Sequence, residues 1–339
     1  MKRILFFTII LSLFHLFCYG QDVNKQAIKI DTLGKEKKIQ VMALPVVFYT
    51  PETEFGVGGG ALFFFKNIKD VINLRESSLL ITGIYTSKKQ LIVNIKPEFY
   101  LIKGRLYIDA DFKYKLFPNS FWGIGNNMPD SLRESYNMKT FYVHIALLKR
   151  VSGATRFGLE YIYEKHIITE TLEGGQLAAD TIPGSSGAII SGLGLIFKHD
   201  SRDNVFSPNE GTFLQFKGRY VSKLLGGTHS YNKFEVDFRK YFPIGKDDVL
   251  AMQVFTMSAF GDVPFQDMAW FGGGIRGRGY YNGRYIDNQM YSLQLEYRIR
   301  LTKKFGIAVF GSGGEVASKT NEFFRNFHAS FGAEFVSNP

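Results

Sequence analysis

The 339 residues carry 41 Lys and Arg against 31 Asp and Glu, a net charge of +10. The cations are scattered singly along alternating segments and form no basic stripe, which argues against a nucleic-acid partner. Cys18 is the sole cysteine, so the chain beyond the leader has no disulfide and no thiolate metal site.

The first twenty residues read as a signal peptide: Lys2 and Arg3, an apolar run from Ile4 to Phe17, then Cys18-Tyr19-Gly20 before the polar Gln21-Asp22. Cleavage is expected after Gly20. A lipoprotein reading of Cys18 is weaker, because bulky Phe17 stands where a small residue is needed. Residues 21–40, rich in Lys and Asp, form a short periplasmic lead-in. Beyond the leader no apolar run reaches the eighteen or so residues that a membrane helix needs, so any membrane crossing must use strands.

From about Val41 to Pro339 the pattern has period two. Leu106, Ile108, Ala110, Phe112, Tyr114 and Leu116 alternate with Tyr107, Asp109, Asp111, Lys113 and Lys115. Leu293, Leu295, Tyr297, Ile299 and Leu301 alternate with Ser292, Gln294, Glu296, Arg298 and Arg300. Phe157, Leu159, Tyr161 and Tyr163 repeat the pattern, as do Phe234, Val236 and Phe238 against Glu235, Asp237 and Arg239. Strands in a soluble sandwich are usually about five or six residues long. A tilted strand crossing a hydrocarbon core needs about ten, and its backbone is satisfied only in a closed sheet. The abundance of Phe, Tyr and Gly, with few cysteines, suits such a barrel.

Fourteen strands are predicted, near 43–50, 55–66, 77–87, 90–102, 105–116, 138–150, 154–167, 187–200, 211–224, 231–243, 248–260, 289–303, 305–317 and 326–336. Pro97 inside the fourth costs a ladder bond. The small residues Gly56 to Gly60 mark a place of close approach. No nucleophile with a base in reach, no metal-ligand spacing and no phosphate-cradling loop stands out. His144, His166, His199, His229 and His328 read as interface or lumen residues. The expectation is therefore a protein that is not an enzyme and uses no cofactor or metal.

Three stretches are more particular. Asp200-Ser201-Arg202-Asp203-Asn204, with Pro208 and Gly211 behind it, closes one strand and opens the next. Gly272-Gly273 precedes Arg278-Gly279-Tyr280, Gly283-Arg284-Tyr285 and Asp287, and leads to Glu296-Tyr297-Arg298. Phe121-Trp122-Gly123-Ile124-Gly125-Asn126 lies in an outer loop. Together they resemble the BamA/TamA family of outer-membrane assembly factors, the bacterial surface antigen family, over nearly the whole mature chain.

That resemblance implies a sixteen-strand barrel whose sixth outer loop folds into the lumen, and the strand count places this loop between the eleventh and twelfth strands. It further implies that Arg278 at the loop tip pairs with Glu296, which alternation independently turns inward. Arg276, in Ile275-Arg276-Gly277, is a rival. Asp200, Arg202, Asp203, Asn204, Pro208 and Gly211 read as a turn-shaping cluster, and Gly272 and Gly273 as turn formers.

Two departures stand out. Phe310-Gly311-Ser312-Gly313-Gly314-Glu315-Val316 has Ser312 where the family tends to carry a second acid, so the latch is weaker or Glu315 contributes instead. The chain also stops at Gly332 to Pro339, short of the family's last hairpin, which reads as truncation or a fourteen-strand closure. The family's POTRA repeats are missing from the pattern.

The expected role is insertion or transport of proteins or lipids at the outer membrane. The alternatives are a passive pore or structural barrel, and the barrel partner of a separate soluble protein. The expected surroundings are outer-membrane lipid and lipopolysaccharide, with unfolded outer-membrane proteins or a periplasmic partner, around a monomer.

Overall fold

The computed structural model describes residues 39–50, 54–65, 76–205, 207–302 and 305–337. The predicted leader and most of the lead-in lie outside these residues. One antiparallel sheet holds fourteen strands. In chain order they are β1 (Ile39–Thr50), β2 (Glu54–Phe65), β3 (Ser77–Thr86), β4 (Leu91–Leu101), β5 (Leu106–Phe121), β6 (Glu134–Ser152) and β7 (Thr155–Glu170). They continue with β8 (Ala188–Asp200), β9 (Gly211–Val221), β10 (Tyr231–Ile244), β11 (Asp248–Gly261), β14 (Gln289–Arg300), β15 (Phe305–Ala317) and β16 (His328–Ser337).

Every strand pairs with its predecessor in this series. Among the described residues the hydrogen-bonded order begins at β1 and ends at β16. Two three-residue strands, β12 (Ala269–Phe271) and β13 (Tyr285–Asp287), form a separate ladder inside the loop that joins β11 to β14. The lead-in was predicted to end at residue 40. Strand pairing starts slightly earlier, with Ile39 opposite Phe65.

The sheet is inside out relative to a soluble protein. Phe157 and Leu159 on β7 are 46% and 62% exposed, while Gly158 between them and Arg156 and Glu160 on either side are buried. The same parity runs through β8, where Leu193 and Leu195 point out, and through β10, where Phe234 is exposed and Lys233 buried. Lipid supplies the apolar medium outside and satisfies no amide, so the ladder must do so. Pro97 has its cost: the β4–β5 ladder skips from Ile95 opposite Phe112 to Glu98 opposite Asp109.

β5 and β6 exceed their predicted lengths, running together up to Phe121 opposite Glu134. Their upper ends pack into an apolar cluster in which Phe121, Tyr136, Phe265 and Ile286 are fully or almost fully buried. The two last residues come from the β11–β14 loop. A second cluster joins Phe271 of that loop to Phe255, Met257, Met290 and Val316 on the wall. The core therefore sits at the loop end of the barrel, with the sixth loop as its centre.

Candidate functional site

The sixth loop, residues 262–288, enters the lumen as a narrow hairpin. Ala269 opposite Asp287 and Phe271 opposite Tyr285 hold its base. A one-turn helix, Gly273–Arg276, forms its tip. Gly272 has φ of 119°, and a Cβ there would collide with the Tyr281 carbonyl oxygen. A glycine is thus required where the two arms of the hairpin touch.

Arg278 leaves this tip toward the wall. Its Nη2 stands 2.5 Å from Glu296 Oε2 on β14, and its Nη1 stands 3.2 Å from Glu334 Oε1 on β16. Its Nε donates to Gln294 Oε1 at 3.2 Å, and the guanidinium lies 4.0 Å over the Phe310 ring of β15. One side chain therefore touches three successive strands. Charge-assisted bonds of this kind are the strong ones. The backbone is fixed as well: Ser330 Oγ donates to the Arg278 carbonyl, and the Tyr280 hydroxyl donates to the Ala329 carbonyl at 3.0 Å. Gly279, with φ of 95°, brings the chain close to Ser330.

Arg276 takes another position. It stacks on Phe255 of β11 with 3.8 Å between its guanidinium carbon and the ring centroid, and among the described residues no carboxylate lies at ion-pair distance. Ser312 bonds Ser330 at 2.8 Å and so supports the tip through an intermediary. Glu315 does not join the ion pair. Its carboxylate turns into the seventh loop, residues 318–327, and accepts from the amides of Phe324 and Asn326. The second acid against Arg278 is Glu334, which the sequence reading missed. Its parity with Ser330 and Gly332 turned it inward and was legible.

A second anchor was also missed. Asp267, buried at the base of the sixth loop, accepts from Lys233 Nζ and from the Tyr231 hydroxyl on β10, each at 2.5 Å. Lys233 stands 3.5 Å from Glu235, and Glu235 stands 3.4 Å from Arg219 on β9. Arg219 donates to Glu160 on β7 at 2.5 Å, and Glu160 meets His144 on β6 at 2.8 Å. Buried charges cost energy unless each finds a partner. Here each has one, and the chain of partners follows the inner wall from β6 to the loop.

The Asp200 motif lies at the opposite end. Arg202 makes a two-pronged pair with Asp200, at 2.9 and 3.0 Å, and stacks over Phe213. Asp203 accepts the amides of Asn209 and Glu210 at 3.0 and 3.3 Å, and Asn204 Oδ1 accepts the Ser207 amide. Gly211, with φ of 103°, lets the chain pass the Ser201 carbonyl. Slight burial raises the Asp203 carboxyl, but the amide donors of Glu210, Asn209 and Asn204 outweigh it and hold the group below its ordinary range. The Pro208 carbonyl accepts from Arg298 Nη1 at 3.1 Å, and Arg298 Nε also holds Glu296 at 2.7 Å. Two motifs far apart in sequence are thus joined through Arg278, Glu296, Arg298 and Pro208. A cavity of about 90 Å³ beside them is lined by Arg239, Tyr241, Gln253, Arg278, Glu296 and Arg298.

The outer loops close over this arrangement. Gly125 donates to the Ile286 carbonyl at 2.8 Å, and Arg284 donates to the Met128 carbonyl at 2.7 Å and pairs with Asp130 at 3.0 Å. Asn126 reaches Asn326, Val316 and His328, which ties the third loop to the seventh. Phe265 donates to the Pro183 carbonyl, so the fourth loop also touches the sixth. Among the described residues no three of His, Cys, Asp or Glu converge as a metal site.

An antiparallel barrel with lipid-facing apolar residues, a charged inner wall and a sixth loop held inside it defines a class of outer-membrane β-barrel. Residues 97–337 match the Omp85 superfamily domain, and the chain belongs to that superfamily. No curated protein sequence matches it. Among solved structures it is similar to BamA from Haemophilus ducreyi lacking POTRA domains 1–3, with a TM-score of 0.59 at 16% identity over 89% of this chain and 64% of that one. It is also similar to CdiB from Acinetobacter baumannii, with a TM-score of 0.57 at 13% identity over 90% and 54% of the two chains. CdiB from Escherichia coli gives 0.57 at 11% identity over 90% and 58%. The chain thus spans between about half and just under two thirds of the structures it matches. Among the described residues there is no POTRA repeat.

Proposed function

We propose that this barrel inserts or transports proteins or lipids at the outer membrane, with the sixth loop as the element that holds β14 and β16 from inside. The observation that carries the reading is Arg278, which ties the lumenal loop to β14 through Glu296 and to β16 through Glu334. Through this contact an interior loop braces β14 and β16, the last strands of the hydrogen-bonded order among the described residues. The protein acts mechanically, without enzyme chemistry, as a monomer in contact with outer-membrane lipid and lipopolysaccharide. Its clients are unfolded outer-membrane proteins or the cargo of a periplasmic partner. It reaches the membrane through a leader cleaved after Gly20.

Single-channel recording of the purified protein tests this. A held loop predicts small, infrequent openings in the wild type and larger, longer ones in Arg278→Ala. A large, steady pore that the substitution leaves unchanged would establish the passive-pore reading instead. Deletion of the protein should lower the levels of other barrel proteins or disturb lipid order, and unaltered membrane composition counts against the assembly role.

A further inference from the structure

The lipid-facing surface of the sheet has visible margins. On β6 the outward residues are Lys139, Phe141, Val143, Ile145, Leu147 and Lys149, while Met138, Thr140, His144, Ala146 and Leu148 between them are buried. The ten-residue step from Lys139 to Lys149 covers about 33 Å of strand at about 3.3 Å per residue. Tilted by about 40°, that length spans about 25 Å, the height of the apolar band of an outer-membrane barrel. The two lysines therefore stand at the two faces of the membrane. Short turns such as 153–154 lie at the Lys149 end and the longer loops at the Lys139 end, so Lys139 meets the outer leaflet.

Lys165 on β7 stands beside it. Phe157, Leu159, Tyr161 and Tyr163 precede it on the outward face, and the register sets Lys165 opposite Phe141 and Lys139 opposite Ile167. The two lysines are thus diagonal neighbours, with about 7–8 Å between their positions. Among the described strands they are the outward cations at the loop end, whereas Lys149 and Lys240 lie at the turn end. Like charges this close on one face repel one another. Inward cations escape that cost through partners, as Lys96 does with Glu98 and Lys113 with Asp111. Among the described residues neither Lys139 nor Lys165 has a carboxylate at ion-pair distance. The acid on the row above, Glu170, accepts from Asn137 Nδ2, and Thr169 Oγ1 donates to the Asn137 carbonyl at 3.3 Å. Below the lysines the Tyr114 and Phe141 rings meet with 4.9 Å between centroids. Two unpaired cations above an aromatic floor, at the level where headgroups begin, suit an anion whose body continues into the acyl layer.

We propose that Lys139 and Lys165 bracket a phosphate of lipopolysaccharide on the outer surface of β6 and β7. This makes specific the lipopolysaccharide contact in the reading above and rests on it. The long stems let both ammonium groups converge on one phosphate while their methylenes remain in the apolar layer. The phosphate offsets the repulsion between them, and the acyl chains beneath it follow the row of Phe141, Tyr161 and Tyr163.

The test is native mass spectrometry of the delipidated full chain after exposure to bisphosphorylated lipid A, to lipid A stripped of both phosphates, or to phosphatidylglycerol. The wild type should retain one bisphosphorylated lipid A per barrel and little of the other two. Lys139→Gln and Lys165→Gln should each lower retention about fivefold, and the double variant about twenty-five-fold. Lys149→Gln, at the other leaflet, should leave it unchanged, and Lys139→Arg with Lys165→Arg should preserve it. Heat-modified gel migration verifies folding of each variant. Equal retention by the wild type and the double Gln variant overturns the proposal, as does equal retention of the stripped lipid or of phosphatidylglycerol, or complete displacement of lipid A by inorganic phosphate. Channel recordings keep the two readings apart: lipid A retention that ignores both lysines, with gating still altered by Arg278→Ala, defeats the phosphate site and leaves the loop latch standing.

Discussion

Replacing Arg278 with Ala should loosen the tip of the sixth loop without expelling its base. Removing one partner of a buried ion pair costs about 3–5 kcal/mol. Here Glu296 keeps Arg298 at 2.7 Å and Glu334 is nearly half exposed, so about 2 kcal/mol is the better figure. That raises local opening of the tip by about thirtyfold, since 1.4 kcal/mol is a factor of ten. The base is held differently. Phe265, Phe271 and Ile286 are fully or almost fully buried, and each contributes about 1.5–3 kcal/mol. Asp267 adds its bonds to Lys233 and Tyr231. Hydrogen exchange with mass-spectrometric readout should therefore show faster exchange confined to about residues 273–283, with 263–271 and 285–288 unchanged. Uniform acceleration across 262–288 would refute a loop with two separate anchors.

Other substitutions probe the rest of the network. Arg219→Ala removes one partner from Glu160, which keeps His144, and from Glu235, which keeps Lys233, and should lower stability by about 3 kcal/mol, the low end for a broken buried pair, in urea titration of the folded barrel in detergent. Asp267→Asn should accelerate exchange at the loop base and leave the tip ion pair intact, the converse of Arg278→Ala. Gly272→Ala forces a side chain into a left-handed position against Tyr281 and should cost about 1–3 kcal/mol, read as lost protection of the tip. For the turn 201–210, the lowered Asp203 value means that ionised Asp203 stabilises the turn fully above the unfolded value of about 4. That stabilisation disappears as pH falls through the lower folded value. Amides of Asn209 and Glu210 should lose protection on acidification in the wild type, while in Asp203→Asn their protection should be weak at every pH.

Much of this was readable in the alternation itself. A strand that separates oil from water shows its register in every second residue, so β7, β10 and β14 were assigned within a few positions. Reading stopped where the environment ceased to be two-sided. The upper parts of β5 and β6 leave the lipid and pack against Phe265 and Ile286, so their sequence does not mark the membrane edge. β12 and β13 are three residues each, too short for any period to declare itself. Glu334 was in plain view by parity but carried no motif. Asp267 was harder, because only the folded loop brings it to Lys233.

β1 to β3 are mostly apolar on both sides, with Met42, Leu44 and Val46 on one side of β1 and Val41, Pro45 and Val47 on the other, and this has a consequence before the barrel exists. In the aqueous compartment that the unfolded chain must cross, these thirty or so residues present only a few scattered polar groups, such as Gln40, Glu54, Ser78, Thr82 and Thr86, whereas β6 or β10 can always turn one edge to solvent. Such segments pair readily with one another and with strangers. The opening third of the sheet is the part that most needs escort, and the part whose mistimed release would condemn the molecule to aggregation.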